Sequence, residues 1–341
     1  MGARWRAARA GGVLGDGRPS RGKVACGAAA ALLVAGVAGW IGLPGGSDGA
    51  VGTTDRPGVT AAGRAVAERL DLPWPREGQA SVAVEGVGGL GGSGSPRPVP
   101  IASVTKVMTA YVILKEHPLR DGEQGPRITV DAAAARESHS LSESTAPLRE
   151  GQRLTQRKLL ELLLLPSGNN VARLLARWDA GSQAAFVAKM NRTAAGLGMT
   201  RTTYTGASGV EPTTTSTADD QLRLARRAVR EPVLRAVAAQ RDTTVPGVPG
   251  RIANTNRLLD KPGVVGLKTG SSTPAGGNLM WAAEAGSGAR QHLVLGVVLG
   301  QRPHTTPAEG LAAAFETSGA LIDSVRRGLP AALGAAKGAA S

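Results

Sequence analysis

The chain has 341 residues, 42% apolar and 19% charged. That balance excludes wholesale disorder and supplies the core of one domain with appendages. Aromatic residues make up only 3%, so Leu, Val and Ala must build that core. The net charge of +14 comes partly from Arg4, Arg6, Arg9, Arg18, Arg21 and Lys23 against Asp16. The rest is spread along the chain without an aromatic-interleaved basic stripe, which argues against a nucleic-acid partner.

After this basic segment, residues 1–23, Val24 to Leu43 carry no charge. At about 1.5 Å rise per residue this run spans roughly 30 Å, one hydrocarbon core. The basic residues before it place the N-terminus in the cytoplasm and the body outside, with an uncleaved transmembrane anchor favoured over a removed signal peptide. The expected location is the cell membrane with an extracytoplasmic domain, or a secreted protein if the segment is cleaved. The lone Cys26 lies inside this run and excludes an intrachain disulfide. His117, His139, His292 and His304 show no ligand spacing, so neither a metal nor any other cofactor is expected.

Residues 44–63 read as a flexible linker, rich in Gly, Pro, Ser and Thr. The folded domain is expected over 64–327, and residues 328–341, rich in Gly and Ala, as a disordered tail. Ala80–Val84 alternates like a strand and runs into a Gly-rich hairpin turn. That turn formally matches GxGxxG, but no helix opens there and position 111 is Tyr, which removes the dinucleotide reading. Helices are expected over Ser103–Glu116, Gln156–Leu165 and Asn169–Trp178. Another begins at the N-cap Ser182, with Phe186, Met190, Ala194 and Leu197 on one stripe. Val264–Thr269 and His292–Leu299 read as strands, and Pro307–Arg327 as a helix. A strand, many helices, strands and a final helix imply an α+β fold, a segregated sheet with a helical insert.

Three short motifs carry chemistry. Ser103-Val104-Thr105-Lys106 puts Ser and Lys on one helical face at i,i+3, where the amine can take the hydroxyl proton. Alone it is weak, since Ser20-Arg21-Gly22-Lys23 matches too. Ser167-Gly168-Asn169 lies at a helix junction after Pro166, where Ser and Asn also serve as plain caps. Lys268-Thr269-Gly270 closes a predicted strand. Their joint occurrence, in this order in one domain, has a chance probability of about one in a thousand or less.

This set resembles that of penicillin-binding proteins and serine β-lactamases. Residues 101–110 (IASVTKVMTA) are similar to the nucleophile segment of the serine D-alanyl-D-alanine carboxypeptidases, and the SGN form also resembles theirs. So do Phe186–Thr203, Ser216-Thr217-Ala218 and Asn254–Leu259, the last leading into PGVVGLKTGSSTPAGG. The similarity covers roughly 78–325. Segment 86–95 is looser than the family's usual hairpin. The chain stops soon after Arg327, without room for the C-terminal β-rich domain of some members, so attachment is expected through residues 24–43.

The resemblance implies a penicillin-binding/β-lactamase-like serine hydrolase, an antiparallel sheet flanked by helices with an all-helical subdomain between the first and last strands. It implies removal of the terminal D-alanine from peptidoglycan stem peptides through an acyl-enzyme. Ser103 is then the nucleophile, Lys106 its base and Ser167 a proton relay. Asn169 binds the substrate amide and holds Lys106, while Lys268 and Thr269 take the terminal carboxylate. Gly270 allows close approach of the substrate backbone, and the N–H groups of Ser103 and Ser271 form the oxyanion hole. β-Lactams are expected to acylate Ser103. No Glu-x-x-Leu-Asn element follows the second motif, so slow deacylation, hence inhibition, is expected. Transpeptidation or weak β-lactam hydrolysis on the same site is the alternative chemistry. A non-catalytic wall or β-lactam sensor would have been favoured by a missing catalytic residue, and none is missing.

Overall fold

A computed structural model describes residue 56, residues 58–286, residue 288 and residues 291–338. The basic N-terminus, the apolar segment 24–43, most of the linker and the last residues of the tail lie outside the described residues. Among the described residues no helix is long and apolar enough to cross a membrane.

The first elements are α1 (Ala61–Ala67), the hairpin β1 (Gln79–Val84) and β2 (Gly88–Ser93), and β3 (Val99–Pro100). A 3-10 turn over Ala102–Thr105 leads directly into α2 (Lys106–Glu116). Next come β4 (Arg127–Thr129), α3 (Ala132–Glu137), β5 (Arg153–Thr155) and α4 (Gln156–Leu164). Then follow α5 (Asn169–Ala180), α6 (Gln183–Gly196), β6 (Thr215–Ser216), α7 (Ala218–Ala228) and α8 (Pro232–Ala238). The ribbon β7 (Asp242–Val245) and β8 (Val248–Ala253) precedes β9 (Val264–Ser272), β10 (Gly276–Ala285) and β11 (His292–Gln301). The last element is α9 (Pro307–Gly338).

The main sheet has five antiparallel strands in the order β2-β1-β11-β10-β9. The first hairpin therefore joins the sheet beside the last strand, and everything from β3 to β8 is inserted between them. Two-residue alternation sorts the strand side chains into two apolar layers. Val82 and Val84 of β1, Trp281 and Ala283 of β10 and Val298 of β11 pack against Leu321, Ile322, Val325 and Leu329 of α9. Ala83, Met280, Ala282, Leu295 and Val297 face the insert, where Val107 and Met108 of α2 and Leu159, Leu160 and Leu163 of α4 meet them. Each such buried aliphatic side chain contributes about 1.5–3 kcal/mol.

The expected α+β fold is present. Its insert is mainly helical and also carries three two-stranded ribbons, β3–β6, β4–β5 and β7–β8. Ser182 caps α6 as expected, its Oγ accepting from Ala185 N at 3.1 Å. Two boundaries differ from the sequence reading. Order begins inside the expected linker: Thr60 caps α1 and Val59 bridges to Gly89. At the other end α9 continues through Gly338 instead of giving way to a disordered tail at 328, because Leu329 and Ala332 extend its buried stripe.

Candidate active site

Residues from three separate elements converge where the insert meets the edge strand β9. Ser103, half-buried, lies in the 3-10 turn, one turn before the fully buried Lys106 at the head of α2. The tight turn and the i,i+3 spacing bring Lys106 Nζ within 2.8 Å of Ser103 Oγ. The same ammonium or amine donates to Asn169 Oδ1 at 2.6 Å and to the Ser208 carbonyl at 2.9 Å. Every polar direction around Nζ is thus occupied by an acceptor. The serine hydroxyl is the one acceptor that can return a proton.

Backbone conformation at both motif edges is unusual. Ala102, just before the nucleophile position, has φ 44°, and Ser167 has φ 65°. For residues with a Cβ such conformations cost about 1–3 kcal/mol each and persist only where surrounding packing enforces them. Ser167 is 4% exposed, and its Oγ has no hydrogen-bond partner among the described residues. Asn169 opens α5 two residues later.

On the opposite wall, β9 carries Lys268, Thr269, Gly270 and Ser271. The strand continues through Ser272, so the KTG motif sits inside it and not at its end as the sequence suggests. Because β9 is the sheet edge, one side of its backbone has no strand partner among the described residues. Gly270 is pressed against the nucleophile turn: a Cβ there would lie 2.8 Å from Val104 N and 2.9 Å from Ser103 N. Thr269 shares a 2.7 Å hydroxyl hydrogen bond with Thr255, whose own N–H donates to Leu165 O at 3.0 Å. Lys268 is 1% exposed, and Thr269 Oγ1 at 3.5 Å is its contact.

Both buried lysines are held below the ordinary lysine range. Burial is the main reason Lys106 is held well below the ordinary lysine range, with the charge of Lys268 next and that of Arg173 after it. Glu143 and Glu211 pull in the opposite direction. Burial alone brings Lys268 down to about 7. A serine hydroxyl bonded to a neutral lysine can serve as an activated nucleophile, and among the described residues no carboxylate pairs with Lys268. The described residues contain no cluster of His, Cys, Asp and Glu able to hold a metal.

Residues 92–302 match the sequence pattern of the D-alanyl-D-alanine carboxypeptidases. The chain belongs to this family. It is 34% identical over 207 residues to D-alanyl-D-alanine carboxypeptidase DacB2 of Mycobacterium tuberculosis, covering 59% of this chain and 67% of that one. With D-alanyl-D-alanine carboxypeptidase DacC of Escherichia coli the identity is 32%, over 57% of this chain and 50% of the relative. The chain thus spans only half of that longer protein. The crystal structure of the Streptomyces DD-transpeptidase from strain K15 superposes with TM-score 0.62 at 25% identity, over 74% of this chain and all of that one. Penicillin-binding protein 6B of Escherichia coli gives 0.60 at 28%, over 72% and 79%.

The hydrogen bonds join Ser103, Lys106 and Asn169 directly, and packing sets Gly270 against the Ser103 backbone. Ser167 stands two residues before Asn169 and among the described residues its Oγ bonds to none of the others, and Ser271 follows Gly270 along β9. The motifs did not reveal three further participants. Glu143 accepts from Asn169 Nδ2 at 3.0 Å, Ser208 supplies a carbonyl to Lys106, and Thr255 braces Thr269. Ser208 lies in a stretch without a chemical signature of its own, and Thr255 lies in the family-like segment Asn254–Leu259, whose residues carry no assigned role. Glu143 sits in a Ser-rich stretch that no motif marks.

Proposed function

We propose that this protein is a serine D,D-carboxypeptidase that removes the terminal D-alanine from peptidoglycan stem peptides. The observation that carries this reading is the Ser103–Lys106–Asn169 hydrogen-bonded chain, facing a β9 edge that presents Lys268, Thr269 and Gly270. An acyl-D-Ala-D-Ala peptide fits along that edge as an added strand, its backbone close to Gly270. Its terminal carboxylate is the anion that Lys268 lacks, with the Thr269 hydroxyl as second donor.

Ser103 Oγ attacks the penultimate D-Ala carbonyl while Lys106 takes its proton. The tetrahedral oxyanion is stabilised by the N–H groups of Ser103 and Ser271. Ser167, buried beside Asn169, relays the proton from Lys106 to the leaving amine, D-alanine departs, and Lys106 is neutral once more. Water then attacks the acyl-enzyme, with Lys106 again as base. β-Lactams present the same acylating carbonyl and trap Ser103 as an ester. Transfer of the acyl group to an amine instead of water is the second reading, favoured by the likeness to the Streptomyces DD-transpeptidase; an added amino acceptor that converts released substrate into a peptide product would establish it.

The enzyme is placed outside the cytoplasmic membrane and tethered through residues 24–43. The support is the charge asymmetry around that apolar run and the extracytoplasmic location of peptidoglycan. The decisive experiment is D-alanine release from diacetyl-Lys-D-Ala-D-Ala by the wild type and by Ser103→Ala, with and without penicillin. Release that is blocked by penicillin and absent in S103A is expected. Release by S103A at the wild-type rate overturns the proposal.

A further inference from the structure

We propose that Glu143, clamped by Arg173, is a positioning residue for the reaction: it fixes the side-chain amide of Asn169 so that Oδ1 faces Lys106 and Nδ2 faces the cleft. This rests on the reading of Ser103 and Lys106 as nucleophile and base.

An asparagine amide can turn over, and only one orientation serves this site. With Oδ1 toward Lys106 the amide accepts from Nζ at 2.6 Å. Turned over, it would present its own donors to the lysine. Glu143 Oε2 decides between the two, because it accepts from Nδ2 at 3.0 Å and can accept nothing from an oxygen. One Nδ2 hydrogen remains for a substrate carbonyl.

The carboxylate is itself immobilised. Arg173 Nη2 donates to Glu143 Oε2 at 2.7 Å, and Arg173 Nε donates to Glu137 of α3 at 2.8 Å. The side chains of Glu143 and Arg173 are 22% and 14% exposed, so this chain of charges is largely shielded from water. The loop carrying Glu143 is fastened to α5 independently. Asn169 N donates to Ser144 O at 2.9 Å. Asn170 Oδ1 accepts from Ala146 N at 3.0 Å while its Nδ2 donates to Ala146 O at 2.9 Å. Arg173 also offsets the charge of the carboxylate it holds. The charged groups acting on Lys106 are Lys268 from β9, Arg173 from α5, Glu143 from the loop after α3 and Glu211 from the loop before β6. An uncompensated Glu143 would push the Lys106 pKa upward. The pair orients the amide without that penalty.

The test is the second-order rate of penicillin acylation against pH for the full chain and for Glu143→Gln, Glu143→Leu and Arg173→Met, with thermal melts of each. E143Q keeps an acceptor for Nδ2 and loses the negative charge, so its acid limb moves to lower pH at a plateau within about threefold of wild type. R173M leaves the carboxylate uncompensated, so its acid limb moves to higher pH. E143L loses the orienting bond, and its plateau falls about tenfold. Opposite displacements together with a plateau loss in E143L that E143Q does not share carry the proposal, because charge removal alone moves the limbs without lowering the plateau and a purely structural defect lowers the rate evenly across pH. Displacements in one direction, or an E143L plateau within twofold of wild type, overturn it. If R173M does not fold, the E143Q and E143L pair decides: equal plateaus and unmoved limbs overturn the assignment. A wild type that penicillin fails to acylate sinks the nucleophile reading as well, whereas normal wild-type acylation with unresponsive variants sinks only the role of Glu143.

Discussion

Replacing Gly270 with alanine is the sharpest available probe of the contact between the nucleophile turn and β9. The added Cβ would stand 2.8 Å from Val104 N and 2.9 Å from Ser103 N, with Ile101 O at 3.1 Å. Carbon and nitrogen in ordinary contact stand about 3.5 Å apart, so the strand and the turn must separate by roughly 0.6 Å. All three obstructing atoms are backbone, and none can swing aside. Overpacking of this kind costs about 1–3 kcal/mol of stability, which a domain of this size absorbs. Catalysis is hit harder, because a misplacement approaching 1 Å costs on the order of 10²-fold in rate. The shift separates Ser103 from the strand that holds the substrate. G270A is therefore expected to fold, with a melting temperature a few degrees lower, and to react with penicillin 10–100-fold more slowly, by about these same estimates. Stopped-flow acylation measures the loss and a thermal melt checks the fold. Acylation within about threefold of wild type, in a folded protein, would refute the close approach and with it the proposed substrate track.

The buried lysines give a stability prediction whose sign follows from linkage. Both have folded pKa values below the unfolded value near 10.4, so the unfolded chain binds more protons between the two and stability rises with pH through that window. Lys268, brought to about 7, makes the window run from about 7 upward. Lys268→Met removes this cost: its melting temperature at pH 7 is expected to rise while D-alanine release collapses, and a lower melting temperature would contradict the argument. Thr255→Val deletes the hydroxyl that braces Thr269, and a KM increase of about three- to tenfold with kcat nearly unchanged is expected from steady-state kinetics. Ending the chain at Arg327 removes Leu329 and Ala332, both buried against the sheet. That truncation is expected to lower stability by about 2–4 kcal/mol in denaturant titration while leaving the catalytic contacts in place. No loss of stability would return the segment to a tail.

Motifs were legible in this sequence because the chemistry dictates residue types at fixed short spacings. SxxK, SGN and KTG each lie within one short stretch of chain, and the fold needs only to bring three stretches together. Strand β10 was missed for a physical reason. It lies between β9 and β11 with both faces covered, so Leu279–Ala283 shows no polar alternation, and its Ala and Gly content lacks the β-branched signature of a strand. The helix beyond Arg327 was missed because Gly328, Gly334 and Pro330 suggest a stop, whereas packing of Leu329 on the sheet overrides those weak local preferences. The expected strand over Val264–Thr269 was too short, since the Gly and Ser residues that extend it to Ser272 are held by pairing with β10.

What a sequence motif does not carry is the cost of its own geometry. Two lysines are buried, Ala102 and Ser167 are held at positive φ, and Ser167 Oγ has no partner among the described residues. Each feature opposes folding, and each sits beside the reacting atoms. Surrounding packing supplies the compensation: Leu162 O and Val171 enclose Gly168, and Gly209, at φ 79°, lets Ala102 O come so near that a Cβ would overlap it. The unusual conformation of Ala102 is thus stabilised from the Ser208–Gly209 segment, which also gives Lys106 its carbonyl acceptor. Gly209→Ala tests this link, because it perturbs the nucleophile turn without removing any group that touches substrate. A reduced acylation rate with Lys106 and Ser103 both intact is expected. A variant as fast as wild type would mean that the turn holds its shape without that support.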